Sequence, residues 1–194
     1  MIKKAPADYQ IHELIQDRWS PRAFSARAIT AGDLTILFEA ARWAPSSNNE
    51  QPWLFIYATQ ETPEEYATIL RCLRESNQLW ARTAPVLIIT AAKTTFDQTG
   101  KPNRHAWYDV GQAVSYLTIQ AMSLGIYCHQ MAGFFPAQAQ ESLNIPIVYE
   151  PVTAIALGYP DEPTLLSEEL RIRETAPRFR HKQTQFVFYG KFSR

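Results

Sequence analysis

The chain has 194 residues, enough to bury one substantial core, and no low-complexity or Gly/Ser-rich linker divides it, so a single domain is expected. Its 19 Lys and Arg balance 19 Asp and Glu, which leaves no global field directed at nucleic acid or an anionic membrane surface. Cys72 and Cys128 stand in apolar surroundings without Cys-x-x-Cys or histidine spacing, so neither a disulfide framework nor a zinc site is indicated. The charged start is followed by Asp8, His12, Glu13 and Asp17 rather than an apolar run, and the chain reads as a soluble cytoplasmic protein.

The first helical signal covers residues 9–17, and the stretch RWSPR follows it. Arg18, Ser20 and Arg22 alternate there, and Pro21 disfavours helix, so an extended backbone places all three side chains on one side. Residues 30–43 read as a second helix, with Leu34, Leu37, Phe38 and Ala41 on one buried face. Pro45 ends it and opens the polar stretch APSSNNEQPW, whose Ser46, Ser47, Asn48, Asn49 and Gln51 can all donate or accept. Taken alone, that loop also fits a helix C-cap and turn. Residues 53–58 are aromatic and branched, which suits a buried strand. A helix over 63–74 is expected, with Thr62 as N-cap, Pro63 in the first turn, then Glu64 and Glu65.

Strand signals recur at 86–92, 126–130, 152–158 and 186–189, and helical ones at 105–124 and 136–143. This interspersion predicts a layered α/β or α+β domain. From residue 110 to 140 no Asp, Glu, Lys or Arg occurs, although Gln112, Ser115, Thr118, Gln120 and Ser123 keep the run too polar for a membrane span. A helix without a charged face is packed on all sides. Either a second subunit covers part of it, or it lies wholly inside the monomer.

The glycines form neither a G-x-G-x-x-G fingerprint nor a P-loop, there is no G-x-S-x-G elbow, and the histidines have no metal-ligand spacing. The chain ends in a basic stretch, with Arg171, Arg173, Arg178, Arg180, Lys182, Lys191 and Arg194 against the single acid Glu174. PRFR, carrying Arg178 and Arg180, repeats the alternation of RWSPR. Guanidinium forks flanking a hydroxyl suit a phosphate, since they bind its oxygens in bidentate fashion and stay charged. If both ends meet, four arginines surround one anion; each pattern alone also fits a solvated basic stretch.

RWSPRAF, APSSNNEQPW, DVGQAVSYLTIQAMSLG, MAGF, ALGYP and RFRHKQTQFVFYGKF, in that order, resemble the nitroreductase family of flavin enzymes over nearly the whole chain. The resemblance implies an α+β, three-layer sandwich whose central, mostly antiparallel sheet is flanked by helices, in an intertwined homodimer with flavin mononucleotide (FMN) at the interface. It implies that Arg18, Ser20 and Arg22 hold the cofactor's phosphate and the pyrimidine side of its ring, and that Arg178 and Arg180 close on the phosphate. Pro45, Ser46, Ser47 and Asn49 would reach the flavin of the other subunit. Asn77 would contact the ring, and Gly133 would pass its backbone close to the reactive flavin nitrogen. Ala132 stands where better-known members carry an acid, and Trp80 where some carry a lysine.

The implied activity is hydride transfer from NADH or NADPH, through FMN, to a nitroaromatic, a quinone or a similar organic acceptor. The flavin supplies the chemistry, so no catalytic side-chain set and no metal are expected. A flavin-linked dehydrogenase or reductive enzyme with another substrate is the alternative, and a non-catalytic binding protein a more distant one. Neither nucleic acid nor membrane is an expected partner.

Overall fold

The computed structural model describes residues 3–192. Helix α1 (Glu13–Asp17) begins only after His12, whose Nδ1 accepts from the Leu14 N–H at 3.2 Å. The helix expected over 9–17 is therefore shorter at its start: Tyr9 and Ile11 find no core to enter and remain 69% and 40% exposed. Helix α2 (Ala31–Arg42) starts at Thr30, whose hydroxyl oxygen accepts from the Asp33 N–H and whose O–H donates to the Asp33 carboxylate. It buries Leu34, Leu37 and Ala41 as its spacing predicts, and Phe38 packs edge-on against Phe55.

Strand β1 (Trp53–Thr59) leads into α3 (Pro63–Arg71), α4 (Glu75–Ala81) and β2 (Val86–Lys93). The helix expected over 63–74 ends early, at Arg71, and α4 is a helix that the residue pattern did not announce. The Cys72 carbonyl accepts from the Phe135 N–H at 2.8 Å, and Leu73 bridges to Phe134, so tertiary pairing draws this backbone out of the helical ladder. Thr62 does not cap α3 through its side chain; its hydroxyl donates to the Thr59 carbonyl and closes the turn after β1. Next come α5 (Ala106–Ser123), β3 (Tyr127–Met131), α6 (Pro136–Ser142), β4 (Tyr149–Gly158) and α7 (Glu168–Thr175). No helix among the described residues is long and apolar enough to cross a membrane.

The strands form one antiparallel sheet in the order β1-β2-β4-β3. In central β2, alternate side chains enter opposite cores: Val86, Ile88 and Ala92 face the α2 and α5 side, and Leu87, Ile89 and Ala91 the α3, α4 and α6 side. Burial on both faces explains why β2 reads as a continuous apolar run. The result is the three-layer α+β sandwich. Edge strand β1 differs from expectation, since most of it is half-buried and Tyr57 is 48% exposed. Apolar content on an edge strand reflects surface that this chain alone leaves uncovered.

Helix α5 bears on the second of the two readings of the uncharged run. Ala106, Asp109, Val110, Ala113, Leu117 and Ala121 are buried, whereas Trp107, Tyr108 and Tyr116 are 47%, 69% and 47% exposed. The helix does not lie wholly inside the monomer. The strand expected at 186–189 is absent: a single 3₁₀ turn, Gln183–Gln185, precedes Phe186, Val187 and Tyr189, all of them exposed. A strand needs a hydrogen-bonded neighbour, and no edge of this chain's own sheet pairs with that segment.

Gly158 closes β4 where Phe24 and Pro160 pair beneath the RWSPR segment. A Cβ there would lie 2.6 Å from Pro85 Cδ and 2.9 Å from Phe24 Cδ1, both in rigid rings. Gly158→Ala should therefore cost about 1–3 kcal/mol by overpacking, visible as a lowered thermal unfolding midpoint by circular dichroism.

Candidate functional site

Arg18 to Ala23 runs without regular secondary structure between α1 and the bridge at Phe24, and its burial alternates. Trp19 is 6% exposed and packs edge-on against Tyr127. Arg18, Ser20 and Arg22 line a cavity of about 280 Å³ together with Lys3, Arg173, Arg178 and Arg180. The two basic ends of the sequence thus meet.

The cations have different tasks. Arg178 donates from Nη1 to the carbonyls of Lys3 (2.6 Å) and Gln16 (3.0 Å) and from Nη2 to that of Arg18 (2.7 Å). It laces the N-terminal segment together and keeps its charge beside the cavity. Arg22 pairs with Glu174 at 3.4 Å, and this carboxylate also accepts from the backbone N–H groups of Arg22 (2.7 Å) and Ala23 (3.3 Å). Arg18 donates to the Ser20 hydroxyl oxygen at 3.2 Å, which leaves the Ser20 O–H to donate elsewhere. Burial, then the nearby Arg180, lowers the pKa of Arg18; burial, then Arg18 and Arg180, lowers that of Arg178. Clustered guanidiniums that repel one another gain from an anion placed among them. Trp19 also borders the cavity, and its indole Nε1 is buried without a partner among the described residues. Cations and a free hydroxyl proton form a donor set that fits a phosphate ester.

A second locus forms at the start of α4. The Gly133 carbonyl accepts from the Arg74 N–H and from Asn77 Nδ2, both at 2.9 Å. A Cβ at Gly133 would lie 2.5 Å from Asn77 Nδ2, so only glycine allows this approach. Trp80, one turn on from Asn77, is 2% exposed, stacks on Phe24 and lies 4.4 Å from the His129 ring. His129 Nδ1 is 2.8 Å from the Pro21 carbonyl and, since a carbonyl only accepts, carries the proton. Trp80 is thus a core side chain joining α4, β3 and the Arg18 loop. Ala132 is exposed beside Gly133.

The polar loop lies apart from the cavity, and neither Pro45, Ser46, Ser47 nor Asn49 lines it. It is held against α5: the Ser47 N–H donates to Asp109 Oδ2 at 3.0 Å, and Gln112 Nε2 to the Pro45 carbonyl at 3.4 Å. Asn48, Asn49 and Gln51 have φ of 53°, 56° and 52°, a region disfavoured for side chains with a Cβ. The Ser46 hydroxyl oxygen accepts from the Gln51 N–H at 3.0 Å and fixes this strained turn. Strain concentrated in one polar loop accompanies binding sites more than simple connections.

Sequence reasoning missed Glu174, Asp109 and His129. All three hold backbone that carries the expected site residues. The one available signal was a lone acid, Glu174, inside the basic C-terminal stretch.

Residues 15–159 match the model of the nitroreductase family. The chain belongs to that family. This nitroreductase-family protein is 30% identical over 129 residues to an uncharacterized 15.4 kDa protein of Mycolicibacterium smegmatis, a match covering 66% of this chain and 85% of the other. It is 24% identical over 169 residues to a putative NADH dehydrogenase/NAD(P)H nitroreductase of Streptomyces coelicolor, covering 77% and 83%. The crystal structure of an FMN-containing oxidoreductase superposes with a TM-score of 0.91 at 33% identity, covering 96% of this chain and 95% of that one. Family membership makes the nitroreductase-family protein an oxidoreductase.

Burial, opposed by the Pro21 hydrogen bond, holds the pKa of His129 down at about 4, against 6.5 normally. The folded state then binds fewer protons than the unfolded chain between these values, so stability falls as pH drops through that window. Urea unfolding at pH 7 and pH 5 should differ by up to about 2 kcal/mol from this group. His129→Gln should flatten the difference.

Proposed function

We propose that the protein is a homodimeric FMN-dependent oxidoreductase that takes hydride from NADH or NADPH and passes reducing equivalents to a nitroaromatic, a quinone or a similar organic acceptor. The observation that carries this reading is the cavity in which Arg18, Ser20, Arg22, Arg178 and Arg180 converge, with donors that fit a phosphate ester. The FMN contained in the similar oxidoreductase and the NAD(P)H in the name of the Streptomyces relative support cofactor and donor.

Bound FMN supplies a ring that accepts and returns hydride, so the protein's work is holding, orienting and shielding it. Arg18, Ser20 and Arg180 bind the phosphate; Arg178 adds charge and fixes the Arg18 backbone; Arg22, tied to Glu174, sets the loop's course. Asn77 and Gly133, joined by the Asn77 Nδ2 to Gly133 carbonyl bond, would offer an amide and backbone to the flavin ring. Pro45, Ser46, Ser47 and Asn49 serve the partner's flavin, which accounts for their separation from their own chain's cavity. The exposed aromatic face of α5, the apolar edge β1 and the tail over 186–192 are the surfaces a second copy covers.

Arg18→Ala should weaken FMN binding by about 1.5–3 kcal/mol, or roughly ten- to a hundredfold. Fluorescence titration of refolded apoprotein measures it, and unchanged affinity in a folded variant would place the phosphate elsewhere.

Shared sites predict complementation. Arg18→Ala and a Ser46→Ala/Ser47→Ala/Asn49→Ala chain, each inactive as a homodimer, should regain up to about half the activity per heterodimer, because one of two equivalent sites is intact. If both groups serve the same chain's flavin, each site keeps one defect and purified heterodimers stay inactive in the nicotinamide-oxidation assay.

A further inference from the structure

Arg74 is not used by the phosphate cavity or by the dimer surfaces. Its backbone N–H holds the Gly133 carbonyl at 2.9 Å, and its Cδ lies 3.7 Å from the point a Gly133 Cβ would occupy. The side chain therefore runs along the bare face of Gly133. Its guanidinium lies 5.9 Å from the centre of the Phe135 ring, which is 45% exposed. No carboxylate forms an ion pair with Arg74 among the described residues. Glu75, its exposed neighbour, turns into α4 without pairing to it, and position 132, beside Gly133, is an alanine. An exposed cation next to an exposed aromatic ring offers two complementary recognition elements. The planar fork binds a carboxylate in bidentate fashion, and the ring supplies a platform for a flat apolar body.

We propose that Arg74 and Phe135 form a subsite selecting acceptors that carry a carboxylate on an aromatic ring. This rests on the proposed function insofar as that reading puts the flavin's reactive edge at Gly133. A carboxylate held on Arg74 then brings the attached ring beside Gly133 and the Asn77 amide that packs on it. Phe135, beside the guanidinium, offers that ring an apolar neighbour, and position 132 carries no acid.

The test uses purified holoprotein with two acceptors of like size, 4-nitrobenzoate and the neutral 4-nitrobenzamide, and benzoate as a probe that cannot be reduced. The ratio of kcat/KM for the acid over the amide should exceed one in the wild type. It should fall about tenfold in Arg74→Gln, the lower end for a charge-assisted contact at an accessible site. Arg74→Lys should recover part of it. Benzoate binding by calorimetry should weaken by a similar factor in Arg74→Gln, whether or not either acceptor is reduced. An equal ratio in wild type and variant, or equal benzoate affinities, overturns the subsite. So does an effect confined to the KM of NADPH, which assigns the guanidinium to the donor's phosphates. Benzoate binding that depends on Arg74 in a protein that reduces neither acceptor supports the subsite and overturns the proposed function instead.

Discussion

The carboxylate of Glu174 is the contact on which the candidate site most depends. It has no exposed side-chain surface, and it accepts from the backbone of Arg22 and Ala23 and from the Arg22 guanidinium. Removing one partner of such a pair leaves an uncompensated buried charge, a loss on the order of 3–5 kcal/mol. The bond joins α7, near the C-terminal end, to the loop after α1, and the Glu174 carbonyl also accepts from Lys3 Nζ at 2.6 Å. One acidic residue thus fixes the approach of both basic segments that would otherwise repel each other.

Asp109 plays the corresponding part for the polar loop. It is 1% exposed in the first turn of α5 and accepts from the Ser47 N–H and from Gln112. Each loop is therefore anchored through its backbone by a buried acid. Its own side chains are left to face outward. The left-handed residues at 48, 49 and 51 persist because this anchor and the Ser46–Gln51 bond over-determine the turn. A preformed binding loop loses less entropy when a ligand arrives.

The stack of Phe24, Trp80 and His129 fills the space between the two loci. Asn77 sits one helical turn before Trp80, and Pro21 is tied to His129, so packed rings and one hydrogen bond link the Arg18 loop to the helix that holds Gly133. Close-packed interiors deform little, which keeps the Arg18 loop and the Gly133 turn at a fixed spacing.

Some of this was legible in the residue pattern. The 3.6 period of Leu34, Leu37 and Ala41, the apolar run of β2 and the alternation of Arg18, Ser20 and Arg22 are local properties, and the structure realises each because short-range sterics and burial set them. Ordered motifs also carried the family and the three-layer sandwich. Tertiary structure decided what depends on partners distant in sequence. The helix expected over 63–74 stops at Arg71 because Cys72 and Leu73 pair with Phe135 and Phe134. The expected strand at 186–189 fails to form because no edge of its own sheet reaches it. Glu174, Asp109 and His129 matter through contacts that span 152, 62 and 108 positions, and no local period encodes such contacts. Local sequence sets the faces and turns of each element, whereas burial and the satisfaction of buried polar groups are properties of the assembled chain.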